Sequence, residues 1–197
     1  MTAPLGVILA GGLARRMGGG DKSLQTLGGA TILTHVIDRL RPQVAGIALN
    51  ANGDPARFDA FGLPVIADSI EGFAGPLAGV LAGLDWAASL GADTIVTAAA
   101  DTPFFPQTLV AELQAEATGM THPLVLAASA QGRHPTFGLW PVALRDDLRA
   151  ALQEGLRKVV LWTDAHGGRV AAFDGADPDP FFNVNTPEDL AQAEGWV

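Results

Sequence analysis

Short apolar runs alternate with amphipathic stretches along this chain, and the two periodicities separate strands from helices. Leu5–Leu9 (LGVIL) reads as a buried strand and is followed by a glycine-rich loop. Thr31–Leu40 predicts a helix, because Ile32, Leu33, Val36, Ile37 and Leu40 fall on one stripe. Val44–Leu49 and Pro64–Ala67 predict the next two strands. Pro76–Ser89 predicts a helix whose small residues Gly79, Ala82 and Gly83 suit close packing on a sheet. Thr94–Ala99 predicts a fourth strand, and Pro106–Ala117 a helix opened by proline, which is tolerated at the first helical position. Leu124–Ala128 and Thr136–Trp140 read as strands, Val142–Glu154 as a helix, Val170–Phe173 as a last strand and Pro187–Glu194 as a last helix. This alternation predicts an α/β fold, a doubly wound, mostly parallel sheet with helices on both faces. Phe173–Pro180 reads as an exposed loop rather than a linker, and no repeat is present, so residues 1–197 are expected to form a single domain.

Composition narrows the function. Of the 197 residues 48% are hydrophobic and only 17% charged, which suits a packed core and excludes a disordered chain or a coiled coil. The formal net charge of -9 denies the chain the positive footprint needed for general nucleic-acid binding or attachment to anionic lipid. The absence of cysteine removes disulfides, thiolate catalysis and cysteine-zinc sites together. No apolar run approaches the ~18 residues needed to span a bilayer, and no basic segment precedes the first apolar run. A soluble, cytoplasmic protein is expected.

In open α/β sheets, ligands bind beyond the carboxyl ends of the strands. The residues that follow the first four predicted strands are Ala10 to Lys22 (AGGLARRMGGGDK), Asn50-Ala-Asn52, Asp68 and Asp101-Thr-Pro103. Four successive strands thus aim glycines, amides and carboxylates at one rim. In the first loop, Gly11, Gly12, Gly18, Gly19 and Gly20 let backbone N–H groups approach an anion. Arg15, Arg16 and Lys22 add three of only twelve basic residues, and Lys22 is one of two lysines. Scarce positive charge gathered in a glycine loop fits a polyphosphate. Asp21 precedes Lys22-Ser23 where a P-loop needs glycine, and the G-x-G-x-x-G fingerprint is absent after Leu9, so neither a P-loop ATPase nor a nicotinamide oxidoreductase is supported.

Asp101 follows the small residues Thr97 to Ala100 and suits an oxygen-ligating cation such as Mg²⁺ shared with phosphate, or else a plain turn or helix cap. Asp68 presents the same choice, with base or ribose as a further partner, and Asn50 and Asn52 suit a base edge, a sugar or a turn. Near the end of the chain, Thr186 suits capping of the last helix and Asn183 suits ligand contact, with Asn185 open between the two. His35, His122, His134 and His166 show no ligand spacing; His134 is at most a substrate-side contact. No G-x-S-x-G elbow is present.

Leu9-Ala-Gly-Gly12, Arg15-Arg-Met-Gly-Gly19 and Asp21-Lys22 resemble the opening signature of nucleotidyltransferases and, in this extended form, of the molybdenum cofactor guanylyltransferases. The resemblance continues through Asn50-Ala-Asn52, Asp68-Ser69, Gly75-Pro-Leu-Ala-Gly79, Asp101-Thr-Pro103, Arg133-His-Pro-Thr136 and Asn183-Val-Asn-Thr-Pro-Glu188, in order over nearly the whole chain. It implies a Rossmann-like fold of nucleotidyltransferase type. The implied reaction is transfer of GMP from MgGTP to the terminal phosphate of molybdopterin, with release of pyrophosphate. Carried over by position, Leu9, Ala10, Gly11 and Gly12 would meet guanine and phosphates, and Lys22 the phosphates. Asn50 and Asp68 would contact the nucleoside, Asp101 would hold Mg²⁺ and GTP, and Asn183 and Asn185 would face the pterin. Arg16, Lys22 and Asp101 would be the catalytic residues, stabilising charge on the α-phosphate and the leaving pyrophosphate.

The resemblance implies GTP and molybdopterin, bare or molybdenum-loaded, as small-molecule partners. Cofactor-insertion proteins and molybdoenzyme chaperones are the implied protein partners, with neither nucleic acid nor membrane among them. In the cytidylyl branch the loop reads Leu-Ala-Ala-Gly, so Gly11 favours GTP. The alternatives are a cytidylyltransferase for the same cofactor, a sugar-1-phosphate nucleotidyltransferase, and a non-catalytic GTP- or cofactor-binding adaptor.

Overall fold

The computed structural model describes residues 2–11, 21–70, 72, 75–175 and 178–197. In chain order the strands and α-helices are β1 (Leu5–Leu9), β2 (Thr26–Leu27), β3 (Ala30–Thr31), α1 (Ile32–Leu40), β4 (Ile47–Asn50), β5 (Val65–Ile66), α2 (Pro76–Ser89), β6 (Thr94–Ala99), α3 (Leu109–Glu116), β7 (Val125–Ser129), β8 (Gly132–Pro141), α4 (Arg145–Gln153), α5 (Val159–Ala165), β9 (Arg169–Ala172) and α6 (Pro187–Glu194). Seven strands form one sheet in the order β5-β4-β1-β6-β8-β7-β9, and β2 with β3 makes a separate small hairpin. β5, β4, β1 and β6 are mutually parallel. β8 is antiparallel to both of its neighbours, β6 and β7, and β9 is parallel to β7. Every strand of the sheet except β8 therefore directs its carboxyl end to one rim, the rim at which β8 begins. The expected α/β, mostly parallel architecture is the one observed.

Strand alternation sorts the core onto two faces. Ile8, Leu49, Val96 and Leu139 meet Leu33, Ile37 and Leu40 of α1 and Leu113 of α3 on one side. Val7, Ile95, Leu126 and Trp140 meet Leu81 and Leu84 of α2, Leu148 of α4 and Trp162 of α5 on the other. α2 packs close because it carries glycine where it meets the sheet: a Cβ on Gly83 would stand 2.8 Å from Val7 Cγ2 and 2.9 Å from Ile95 Cδ1. A third, smaller core of Leu27, Ile32, Val184 and Ala193 fastens α6 to the β2–β3 hairpin.

Several element bounds differ from the sequence reading. α3 starts at Leu109 rather than Pro106, because residues 106–108 form a turn and the Gln43 side chain takes the Val110 N–H (3.0 Å). A 3₁₀ turn at Val142–Leu144 precedes α4, so that helix is shorter than Val142–Glu154. β4 and β5 are displaced or trimmed to Ile47–Asn50 and Val65–Ile66, while β8 extends back to Gly132. The sequence reading missed α5 and the β2–β3 hairpin, both too short to show a periodicity.

Candidate functional site

The carboxyl-end rim brings the sequence-predicted residues together. β4 ends on Asn50, which is buried, and Asp68 stands two residues after β5. Asn50 Nδ2 donates to the Ile66 carbonyl (3.2 Å) and to Asp68 Oδ1 (3.0 Å). Both amide hydrogens are thereby used, and Oδ1 is left as an acceptor. Asn52 Nδ2 donates to Asp68 Oδ2 (2.8 Å), and the Asp68 N–H returns a bond to Asn52 Oδ1 (2.9 Å). The two asparagines and the aspartate thus hold each other in one orientation. A cavity of about 390 Å³ opens beside them, lined in part by Leu9, Gly11, Asn50, Asn52, Asp68 and Asp101.

Two glycines shape this wall. A Cβ on Gly79 of α2 would collide with Asn50 Oδ1 and stand 2.8 Å from Leu9 Cδ2, so the helix approaches the asparagine only because that carbon is missing. A Cβ on Gly11 would instead find one neighbour, Asn50 Oδ1 at 3.7 Å, an ordinary contact. The bare position at Gly11 is therefore spare room within the cavity wall rather than a packing requirement.

Beyond β1, a smaller recess is walled by Leu9, Ala10, Asp21, Lys22, Ser23, Ala100 and Asp101. Asp21 fixes its floor by accepting bonds from the Ser23 hydroxyl (2.8 Å) and N–H (3.4 Å). Lys22 Nζ donates to Asn185 Oδ1 (3.0 Å), and its charge acts on Asp101. Arg16 and Gly12, like Arg15 and the glycines at 18–20, lie outside the described residues.

Asp101 stands two residues past β6. It does not cap α3, whose N-cap is Thr108. Burial pushes its carboxyl above the ordinary aspartate value, and the Thr102 hydroxyl and the Lys22 ammonium offset that only in part. A carboxylate kept charged there gains from a cation. Among the described residues no three histidine or carboxylate side chains group as a metal site, so a cation at Asp101 would draw on ligand oxygens and water as well as the carboxylate. That donor set fits Mg²⁺, which retains waters and takes one or two carboxylates beside phosphate.

The C-terminal segment closes the rim. The Thr102 hydroxyl donates to Asn183 Oδ1, and the Val184 N–H donates to the Asp101 carbonyl (2.8 Å). Asn183 and Asn185 are therefore tied by their oxygens to the residue after Asp101 and to Lys22 respectively. Thr186 caps α6 in a reciprocal box with Asp189.

Two supports escaped the sequence reading because each depends on a partner distant in the chain. Arg57 joins two walls of the site: its guanidinium donates to Asp21 Oδ2 (3.2 Å) and to the Asn52 carbonyl (2.8 Å). Asp85 of α2 accepts from the Ser69 hydroxyl beside Asp68 and is held by Arg149 (2.6 Å). Thr136 lines the same cavity as Asp68 and Asp101. Of the histidines, His35 bonds the Leu27 carbonyl and His166 meets Asp147, ordinary packing roles.

Comparison with known proteins gives a consistent pattern. A family model for the MobA-like NTP transferase domain matches residues 6–167. The chain is 55% identical to the molybdenum cofactor guanylyltransferase of Bradyrhizobium sp. (strain ORS 278), over 98% of this chain and 92% of that one. It is 52% identical to the protein of the same name from Mesorhizobium japonicum, over 95% and 93% of the two chains. Among solved structures, molybdopterin-guanine dinucleotide biosynthesis protein A from Archaeoglobus fulgidus superposes with a TM-score of 0.73 over 98% of this chain and 97% of the other, at 22% identity.

Proposed function

This chain belongs to the MobA-like NTP transferase family, and on that premise we propose that it transfers GMP from GTP to the terminal phosphate of molybdopterin, forming the guanine dinucleotide cofactor. The observation that carries the reading is the single cavity walled at once by Gly11, Asn50, Asn52, Asp68 and Asp101, with Lys22 in the recess that shares Asp101.

The Asn50 oxygen and the Asp68 carboxylate present acceptors to this cavity. Guanine offers an N1–H and an amino group on one edge, and ribose offers hydroxyls, so an acceptor-rich wall suits a guanine nucleoside. Leu9, Ala10, Gly11 and Gly12 border the base and phosphates in this assignment, and Lys22 with Arg16 meets the phosphates. Asp101 would hold Mg²⁺, which would supply positive charge for the phosphates and the departing pyrophosphate.

In the transfer, an oxygen of the acceptor phosphate forms a bond to the α-phosphorus as the bond to the β-phosphate oxygen breaks. The acceptor oxygen is already anionic at neutral pH, so the chain needs no strong general base. Its own task is to align donor and acceptor and to place Lys22 where negative charge accumulates. Asn183 and Asn185 stand on the acceptor side.

The partners are GTP and molybdopterin, bare or molybdenum-loaded. Cofactor-insertion proteins and molybdoenzyme chaperones are assigned as recipients of the product. We assign the protein to the cytoplasm as a single domain over residues 1–197; no helix among the described residues is long and apolar enough to cross a membrane. Mass analysis of the product from GTP, Mg²⁺ and molybdopterin tests the reaction. A species carrying GMP on molybdopterin is expected, and recovery of unmodified molybdopterin would refute it.

A further inference from the structure

A second polar cluster stands at the same rim, outside the residues assigned above. β7 runs parallel to β6 and β8 runs back between them, so the turn from Ser129 to Gly132 lies at the end of the sheet that carries Asp101. In the strand order it lies on the opposite side of β6 from Asn50 and Asp68. Ser129 Oγ is 2.6 Å from Asp179 Oδ2 and 2.8 Å from His134 Nε2. A carboxylate cannot donate, so the single hydroxyl hydrogen goes to Asp179. Ser129 Oγ is then the acceptor toward the imidazole, and His134 carries its proton on Nε2. This is not a hydrolytic triad, because the histidine donates to the serine instead of taking its proton.

The ring is held on its face as well. His134 stacks on Phe181 with centroids 4.2 Å apart and planes 21° from parallel. The Phe181 N–H donates to Asp179 Oδ1 (2.8 Å), so one carboxylate fixes both the serine and the stacking partner. Burial lowers the pKa of His134 against the opposing charge of Asp179, the charged side chain that acts on it, and so favours the neutral ring. The Nδ1 atom has no partner among the described residues. In the tautomer set by Ser129 it carries a lone pair. Two residues on from His134, Thr136 lines the cavity that Asp101 shares; two residues on from Phe181, Asn183 takes the Thr102 hydroxyl.

We propose that His134 is a binding residue for the acceptor substrate, with Nδ1 accepting a hydrogen bond from a ring N–H of the pterin. The inference rests on the guanylyl-transfer reading above and assigns the side of the site that the nucleotide leaves open. Ser129, Asp179 and Phe181 are positioning residues that fix the tautomer and the plane of the ring.

Steady-state kinetics with GTP, Mg²⁺ and molybdenum-loaded molybdopterin test it by comparing wild type with His134→Gln and His134→Asn. A glutamine amide reaches the place of Nε2 and keeps the Ser129 bond, whereas an asparagine oxygen takes the place of Nδ1. His134→Gln is expected to raise KM for molybdopterin about tenfold with KM for GTP unchanged, and His134→Asn to stay within about threefold of wild type. The opposite ranking, or equal effects, overturns the assignment and leaves the imidazole a brace alone. Ser129→Ala releases the tautomer and is expected to raise KM for molybdopterin only; an unchanged value there also counts against the proposal. Absence of transfer by wild type overturns the guanylyl-transfer reading itself, a result separate from any ranking of the variants.

Discussion

Lys22 Nζ donates a 3.0 Å hydrogen bond to Asn185 Oδ1 across 163 residues of sequence, and the same ammonium bears on Asp101. The lysine assigned to the phosphates is therefore anchored to the loop assigned to the acceptor. Lys22→Ala is expected to reduce kcat by about 100-fold or more while the chain still folds, since the role proposed for the lysine is to stabilise charge that develops in the reaction. Asn185→Ala is expected to raise KM for molybdopterin about tenfold without weakening GTP, because Lys22 is then free to reach the phosphates. Rapid-mixing measurements of pyrophosphate release check both; a wild-type rate in Lys22→Ala would remove its assigned role.

Asp101 links activity to a cost in stability. Its folded pKa lies above the ordinary value, so the folded chain holds the proton more tightly and stability falls as pH rises through the window above the unfolded aspartate pKa. Asp101→Asn is therefore expected to melt higher than wild type at pH 7 and to lose that advantage near pH 3, where aspartate is largely protonated in both states. It is also expected to lose transfer. Melting curves at the two pH values check the sign, and a lower Tm at pH 7 would contradict it.

Much of this site was legible in the sequence, and the reason is topological. Parallel strands place whatever follows them at one rim, so Gly11, Asn50, Asp68 and Asp101 could be gathered by reading the residue after each apolar run. Thr186 was equally legible, because a cap acts within its own turn. What could not be read were the long-range ties. Nothing near Arg57 announces Asp21, 36 positions away, and nothing near Asn185 announces Lys22. The Pro106 start failed for a similar reason, since the first turn of α3 is set by Gln43, a residue from another part of the chain. α5 was lost because seven residues hold too few turns to show a stripe.

Gly79 and Gly11 should respond differently to alanine. At Gly79 the added methyl displaces Asn50, which is committed to Ile66 and Asp68, so KM for GTP is expected to rise at least about tenfold. At Gly11 the protein accommodates the methyl, and any loss falls on the ligand: the ratio of GTP to CTP turnover drops while Tm stays unchanged. Nucleotide KM values and melting temperatures for the two variants separate these effects.

Arg57 lies partly in solvent, with 33% of its side chain exposed, so its ion pair with Asp21 adds under about 1 kcal/mol to stability. Its larger effect is geometric, since it fastens the Asn52 turn to the turn that carries Lys22. Arg57→Ala is expected to leave Tm nearly unchanged and to raise KM for GTP severalfold. Arg57→Lys, which keeps the charge but not the fork of donors, should recover only part. Full recovery by lysine would reduce the role to charge alone.

The most direct test of the account is pyrophosphate release by the purified protein given Mg²⁺, molybdenum-loaded molybdopterin and either GTP or CTP. Release is expected with GTP, and at a rate at least about 100-fold lower with CTP, because Asn50 and Asp68 in the cavity wall offer acceptors to a donor-rich base edge. Release with CTP alone, or with neither nucleotide, would contradict it.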